Sequence, residues 1–323
     1  MEKEKKSLLL VENILKIEKQ AAERGLVPPF DTDDLLETFS LVKDRVVDHL
    51  QGKGCPVTQL RAAHKAIGEI IKVSRDPSLL MCEGLASKEM DCDLLCGIYL
   101  TIARELDLSL YGVFMPSHAI LAWGTPRAIF YFDTLGCGFA TKTEILAGST
   151  SSRRLQIQGE IYLRPLSDRE FMSTYYNTLG VRCSEIKRHG EAIFFFDKAL
   201  ECYPLDPRLH YHKAIALAKQ GHCEQALEYG ERAISLGEFD WKAHLNMGAC
   251  LAMFEEYEQA LCFYNRAAEL RPEEYRVYYY RADALMRYEQ PDLAIKDYEQ
   301  AINLCPDDAD LVEDYETALC CVK

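Results

Sequence analysis

Three residues in the first half of the chain have side chains and neighbours suited to nucleophilic chemistry: Cys92, His118 and Asp133. Cys92 stands in Asp91-Cys92-Asp93, directly ahead of the apolar run Leu94–Leu106, a pattern that starts a helix on an aspartate cap. A thiol at that position faces unpaired backbone N–H groups and the positive end of the helix dipole, which favour its thiolate. The carboxylates of Asp91 and Asp93 act in the opposite sense. Cys96, one turn deeper, loses the terminal field and reads as core. His118 opens a strand-like run and Asp133 closes the next one. A histidine so placed takes a proton while a carboxylate on the following strand fixes its tautomer. Together the three predict attack by sulfur on an acyl carbon, usually an amide, to give a thioester that water, an amine or a thiol resolves. Peptidase, glutamine deamidase and transglutaminase chemistry share that step.

The elements that must position these residues are an α-helical stretch followed by strands. Residues 7–73 carry helix signals, among them Asp31-Thr32-Asp33-Asp34 before Leu35 and Val57-Thr58 before Leu60. After the apolar helix come three runs with strand character, Leu110–Met115, His118–Trp123 and Ala128–Asp133, and a fourth, Gln156–Leu163, ahead of Pro165. A helix feeding an antiparallel sheet is an α+β arrangement.

The run Cys92-Asp-Leu-Leu-Cys-Gly-Ile-Tyr-Leu-Thr-Ile-Ala-Arg-Glu-Leu-Asp-Leu, then Ser117-His118-Ala119, then Tyr131-Phe132-Asp133, resembles the transglutaminase-like branch of the papain-type fold. The separations, 26 residues from Cys92 to His118 and 15 from there to Asp133, suit that branch. The resemblance implies a Cys92–His118–Asp133 active site. No calcium-loop carboxylate cluster accompanies it, unlike the calcium-dependent animal enzymes.

The second half repeats itself. Ala192, Ala226, Ala260 and Ala294 are 34 residues apart, and so are Ala199, Ala233, Ala267 and Ala301. Phe196, Tyr264 and Tyr298 sit between them, with Gly230 the exception, and Pro204, Pro272 and Pro306 end three of the units. Gly180, Ala214, Gly248 and Ala282 hold a small-residue position in each first helix. A helix pair of this size cannot bury its own apolar face, so neighbours must stack. Length and residue order resemble the tetratricopeptide repeat. The whole chain is similar to a bacterial family in which a transglutaminase-like domain precedes such repeats, and the junction Leu163-Arg-Pro-Leu-Ser-Asp-Arg-Glu170 carries that likeness too. The reading is therefore an α+β transglutaminase-like, papain-type domain over residues 1–165 and an all-α tetratricopeptide solenoid over 166–323. Four repeats are expected at about 173–306, followed by a C-terminal capping helix.

Charge constrains the partners. The net charge of −14 is concentrated in residues 173–323, which hold 16 Lys+Arg against 27 Asp+Glu. Affinity for phosphate backbones comes largely from basic residues, so nucleic acid is not an expected partner. The repeats imply a protein or peptide partner instead. Arg208, Lys242 and Arg276 are spaced by 34 residues, and Asn177, Tyr211, Leu245 and Tyr279 form a second such line. In tetratricopeptide folds these first helices line the inner groove, so the two lines are expected to hold a peptide bearing carboxylates. A non-catalytic adaptor, acting through the repeats alone, is the alternative function.

The thirteen cysteines include no CxxC pair, and an odd number of scattered thiols points to a reducing, cytoplasmic compartment. A metal site from Cys92, Cys96 and His118 is disfavoured by the Cys-x3-Cys spacing, and no cofactor is implied. The charged start is followed by too short an apolar run for a secretory segment, and no membrane span is expected.

Overall fold

Apolar residues recurring every three to four positions shape the first helices, α1 (Leu9–Glu23), α2 (Thr32–Leu50) and α3 (Pro56–Gly68). Asp31 caps α2 by accepting the Asp33 N–H at 2.9 Å, and Leu35, Phe39, Val42, Val46 and Leu50 form its buried stripe. The computed structural model describes residues 9–51, 56–73, 79–115, 118–125, 128–134, 138–140, 164–237, 241–306 and 308–321. They divide into two units, Met1–Leu205 and Asp206–Lys323.

In the first unit a short parallel pair, β1 (Lys72–Val73) and β2 (Glu89–Met90), flanks α4 (Met81–Ser87). The start of α4 is held by two glutamates. Glu83 accepts the Leu80 N–H at 3.1 Å, and Glu18 reaches over from α1 to accept the N–H groups of Met81 and Cys82, each at 2.7 Å. The core helix α5 (Cys92–Glu105) follows, buried from Leu94 to Ala103.

Then comes a four-stranded antiparallel sheet in sequence order: β3 (Leu110–Met115), β4 (His118–Thr125), β5 (Ala128–Asp133) and β6 (Gly138–Ala140). β3 and β5 have the bounds read from the sequence, β4 runs on to Thr125, and β6 is additional. The strand read at Gln156–Leu163 lies outside the described residues.

The junction returns to the sheet. The Leu166 N–H donates to the Gly112 carbonyl at 2.9 Å, and α6 (Asp168–Phe171) starts on a reciprocal cap between Ser167 and Glu170. Phe171 stacks on Phe114 at 5.9 Å, and Tyr203 lies 6.0 Å from the same ring. This shared aromatic surface keeps the first helix pair, α7 (Ser173–Glu185) and α8 (His189–Cys202), in the first unit.

The second unit is built of further antiparallel pairs: α9 (Pro207–Lys219) with α10 (Cys223–Ser235), α11 (Trp241–Met253) with α12 (Tyr257–Leu270), and α13 (Tyr275–Arg287) with α14 (Pro291–Leu304). A last helix, α15 (Ala309–Cys321), buries Leu311 and Ala318 against the final pair. All eight periodic alanines are fully buried. A larger side chain at any of them costs roughly 1–3 kcal/mol by overpacking. Gly230, the exception among the aromatic positions, has a physical reason: the Met247 side chain from α11 occupies the space, its sulfur 1.8 Å from where a Cβ would stand. No helix among the described residues is long and apolar enough to cross a membrane.

Candidate active site

Cys92 is the first residue of α5 because Asp91, directly after β2, caps the helix. The Asp91 carboxylate accepts the Leu94 N–H at 2.9 Å and is itself buried. Cys92 is 9% exposed, Cys82 4% and Cys96 not at all. The terminal dipole does not prevail over the local environment. Burial pushes the Cys92 thiol well above its ordinary value, and the charges of Asp93 and Asp91 push the same way. The thiol lies 3.6 Å from Asp93 Oδ1, to which it donates. One group acts in the other direction: the backbone of Ala119 holds the thiol down. Complete burial pushes the Cys96 thiol up as well.

The core helix also meets the sheet directly, because α5 packs against β4. Ala119 follows His118, the first residue of β4, which pairs with Met115 across the β3–β4 turn. In the β4–β5 ladder Leu121 lies opposite Phe132. The same register sets position 118 on a two-residue diagonal from Asp133 along neighbouring strands. Backbone placement thus brings the start of α5, the start of β4 and the end of β5 to one end of the sheet.

Asp133 also acts on a residue that sequence reasoning missed. His64 of α3 is buried, its Nδ1 lies 3.3 Å from the Tyr99 hydroxyl, and its ring meets Phe132 edge-on at 5.4 Å. Burial pulls its pKa down and the Asp133 carboxylate opposes that shift. The only sequence signal was a histidine on the apolar face that Leu60, Ala63 and Ile67 define, which reads as core.

Other partners orient α5. The Tyr175 hydroxyl donates to the Asp93 carbonyl at 3.1 Å, and crosses the helix where residue 97 is glycine: a Cβ there would stand 2.0 Å from the tyrosine oxygen. At the far end Arg104 binds both oxygens of Asp168 and donates to the Leu110 carbonyl. The Ala-Arg-x-Leu segment and the junction motif therefore hold each other. Glu83 of α4 takes an ion pair from Arg182 of α7 at 2.6 Å.

The groove residues read from the repeats meet local partners. Asn177 lies on α7 in the first unit. In the second, Arg208 is held by the buried Asp206 through Nε at 3.0 Å and Nη2 at 2.7 Å. Arg276 pairs with Glu274 at 2.9 Å, and the Lys242 ammonium lies 5.7 Å from the Trp241 ring centre. A cation in a first helical turn opposes the dipole, and the carboxylate two residues earlier offsets it at Arg208 and Arg276. Tyr211 accepts from Asn246 at 2.8 Å, and Tyr279 donates to Asp314 at 2.8 Å.

A cysteine on the first turn of a core helix, set against the end of an antiparallel sheet and followed by 34-residue helix pairs, defines a class of two-part protein. Residues 85–176 match the transglutaminase-like superfamily, and residues 211–275 and 275–308 match two tetratricopeptide repeat families. The chain is a transglutaminase-like domain followed by tetratricopeptide repeats, the architecture its sequence resembles. No curated protein matches it. Among solved structures it is similar to YrrB, a TPR protein with an unusual peptide-binding site, at 26% identity and TM-score 0.41, over 45% of this chain and 74% of that one. It is also similar to MamA from Desulfovibrio magneticus RS-1 (22%, TM-score 0.42, 48% and 91%) and to pilF of Pseudomonas aeruginosa (21%, TM-score 0.44, 47% and 70%).

Proposed function

We propose that the first domain is a cysteine-dependent acyltransferase or hydrolase acting on a peptide or protein amide, with Cys92 as nucleophile, His118 as base and Asp133 orienting it. The observation that carries this reading is the placement of Cys92 on the first turn of α5, a helix packed against β4, the strand that begins at His118. The Ala119 backbone favours the thiolate, and a backbone N–H near the nucleophile is the kind of group that stabilises an oxyanion. In the resting state the thiol is protonated, so attack on the acyl carbon requires transfer of its proton to the His118 imidazole as the C–S bond forms. The amine then leaves with that proton, and water, an amine or a thiol opens the thioester. The repeats recruit the protein that carries the amide, and Asn177, Arg208, Tyr211, Lys242, Arg276 and Tyr279 belong to that surface.

A second reading, a non-catalytic adaptor, is favoured by one specific feature: burial, Asp93 and Asp91 all disfavour the Cys92 thiolate. The two readings separate in one experiment. Full-length protein is incubated with a pool of glutamine-containing peptides and a dansylated primary amine, and ammonia release, amine incorporation and peptide cleavage are followed together. The enzyme reading expects one of the three signals in wild type and none in Cys92→Ala or His118→Ala. Equal signals in all three proteins sink it, and silence in all three favours the adaptor.

A further inference from the structure

Along α1, on the side facing α7 and α8, runs a groove made of two adjoining cavities of about 460 and 150 Å3. They share Ile17, Gln20 and Tyr176 and so adjoin along α1. Its floor is apolar: Leu10, Met172 and Phe195 line it together with Ile17 and Tyr176. Phe194 stands at the rim, 43% exposed.

The charge on this groove is opposite to that of the molecule. Lys16 and Arg169 line one end, and Arg24 and Lys198 the other, in a chain whose net charge is −14. The one carboxylate in the lining, Asp168, is already held by Arg104. Lys16 and Arg24 are exposed, and neither makes an ion pair among the described residues. The Arg24 guanidinium is 5.5 Å from the centre of the Phe194 ring and also lies in the field of the Glu191 carboxylate. Arg169 spends one donor on the Glu201 carbonyl at 3.0 Å, and Lys198 is paired with Glu201 at 2.8 Å. Of the other α1 carboxylates, Glu18 is turned into the core, while Glu12 and Glu23 stay outside the lining.

We propose that this groove docks an acidic peptide segment of a partner protein, with carboxylates reaching the four cations and apolar side chains seated on Ile17, Tyr176 and Phe195. Charge complementarity selects the sign of the ligand, and the apolar floor selects a peptide. A nucleic acid would carry its charge beyond the groove, across a surface that is acidic overall and repels a polyanion. Its lining includes none of the residues assigned to acyl transfer or to the repeat lines, so it does not depend on the acyl-transfer reading.

The test uses the full chain and a short fluorescein-labelled peptide alternating Glu and Leu, followed by fluorescence anisotropy. The peptide should bind saturably, and its affinity should fall as salt is raised, because the contacts are exposed. Lys16→Glu with Arg24→Glu should weaken binding about tenfold, the sum of two reversed surface pairs. Arg45→Glu with Lys65→Glu, exposed cations of α2 and α3 outside the lining, should leave it unchanged. If the reversed α1 variant melts early, Lys16→Ala with Arg24→Ala replaces it, with a smaller loss expected. Absence of saturable binding would overturn the proposal. So would equal affinity for the same peptide with Lys in place of Glu, tighter binding of a labelled oligothymidylate, an equal loss in the Arg45→Glu with Lys65→Glu control, or self-association through the groove seen by sedimentation.

Discussion

Arg104, at the end of α5, clasps Asp168 of α6 with Nε 3.0 Å from Oδ2 and Nη2 2.8 Å from Oδ1, while its Nη1 donates to the Leu110 carbonyl at 2.9 Å. One side chain thus fixes the core helix, the first long strand and the junction to the repeats. With Arg182 on Glu83 and Tyr175 on the Asp93 carbonyl, it makes the first repeat helices part of the frame that carries Cys92.

Arg104→Ala should therefore destabilise the first unit. The two side chains are 30% and 45% exposed, so screening reduces the ionic part, and a loss of about 1–2 kcal/mol is expected. Thermal melting followed by circular dichroism should show a drop of about 2–6 °C. Arg104→Lys should recover only part of it, because an ammonium cannot span both carboxylate oxygens. A melt identical to wild type would remove the clasp from the argument.

Asp93→Asn should make Cys92 more reactive. Removing that charge lowers the thiol pKa and raises the thiolate fraction at a fixed pH, and the alkylation rate should rise several-fold. Iodoacetamide labelling across pH with peptide mapping reads this directly. The exposed Cys262 and Cys320 serve as internal references. An unchanged Cys92 profile would show that burial alone sets the thiol's state.

Glu18 gives a pH dependence with a defined sign. Burial pushes its carboxyl up to about 7 from 4.5, against the two N–H donors and the Cys82 thiol that hold it down. The folded chain then binds this proton more tightly than the unfolded one. Its contribution is fullest below about pH 4.5 and is lost as pH rises to about 7, by at most about 3 kcal/mol. Burial of His64 acts in the opposite sense, so the informative quantity is the difference between wild type and Glu18→Gln in urea unfolding at several pH values. A difference that stays constant from pH 5 to 7.5 would refute the assignment.

Gly97→Ala should cost roughly 1–3 kcal/mol, because its Cβ would stand 2.0 Å from the Tyr175 hydroxyl. Tyr175→Phe removes that oxygen and its hydrogen bond to Asp93. In the double variant the two losses should sum to less than their separate values, a coupling that a cycle of unfolding measurements reads. Additive losses would mean that the helix and the tyrosine do not meet.

Local pattern determined a good part of this protein. The 34-residue period identified the helix pairs, because close crossings need small residues at fixed places whatever surrounds them. The bounds of β3 and β5 followed from strand-like composition between turn residues, and the aspartate cap put Cys92 at a helix start. The tertiary structure decided what each of these residues meets. It brought the Ala119 backbone near enough to Cys92 to favour its thiolate, set Asp133 in the field of His64, and placed Arg104 on Asp168. It filled the space at Gly230 with Met247, and gave α1 a groove of opposite charge to the chain. The partners in most of these contacts are tens of residues apart, and composition and periodicity describe only a residue's own neighbourhood. Whether the dipole or burial governs the Cys92 thiol depends on what packs over it, and that is settled only when distant segments close around the site.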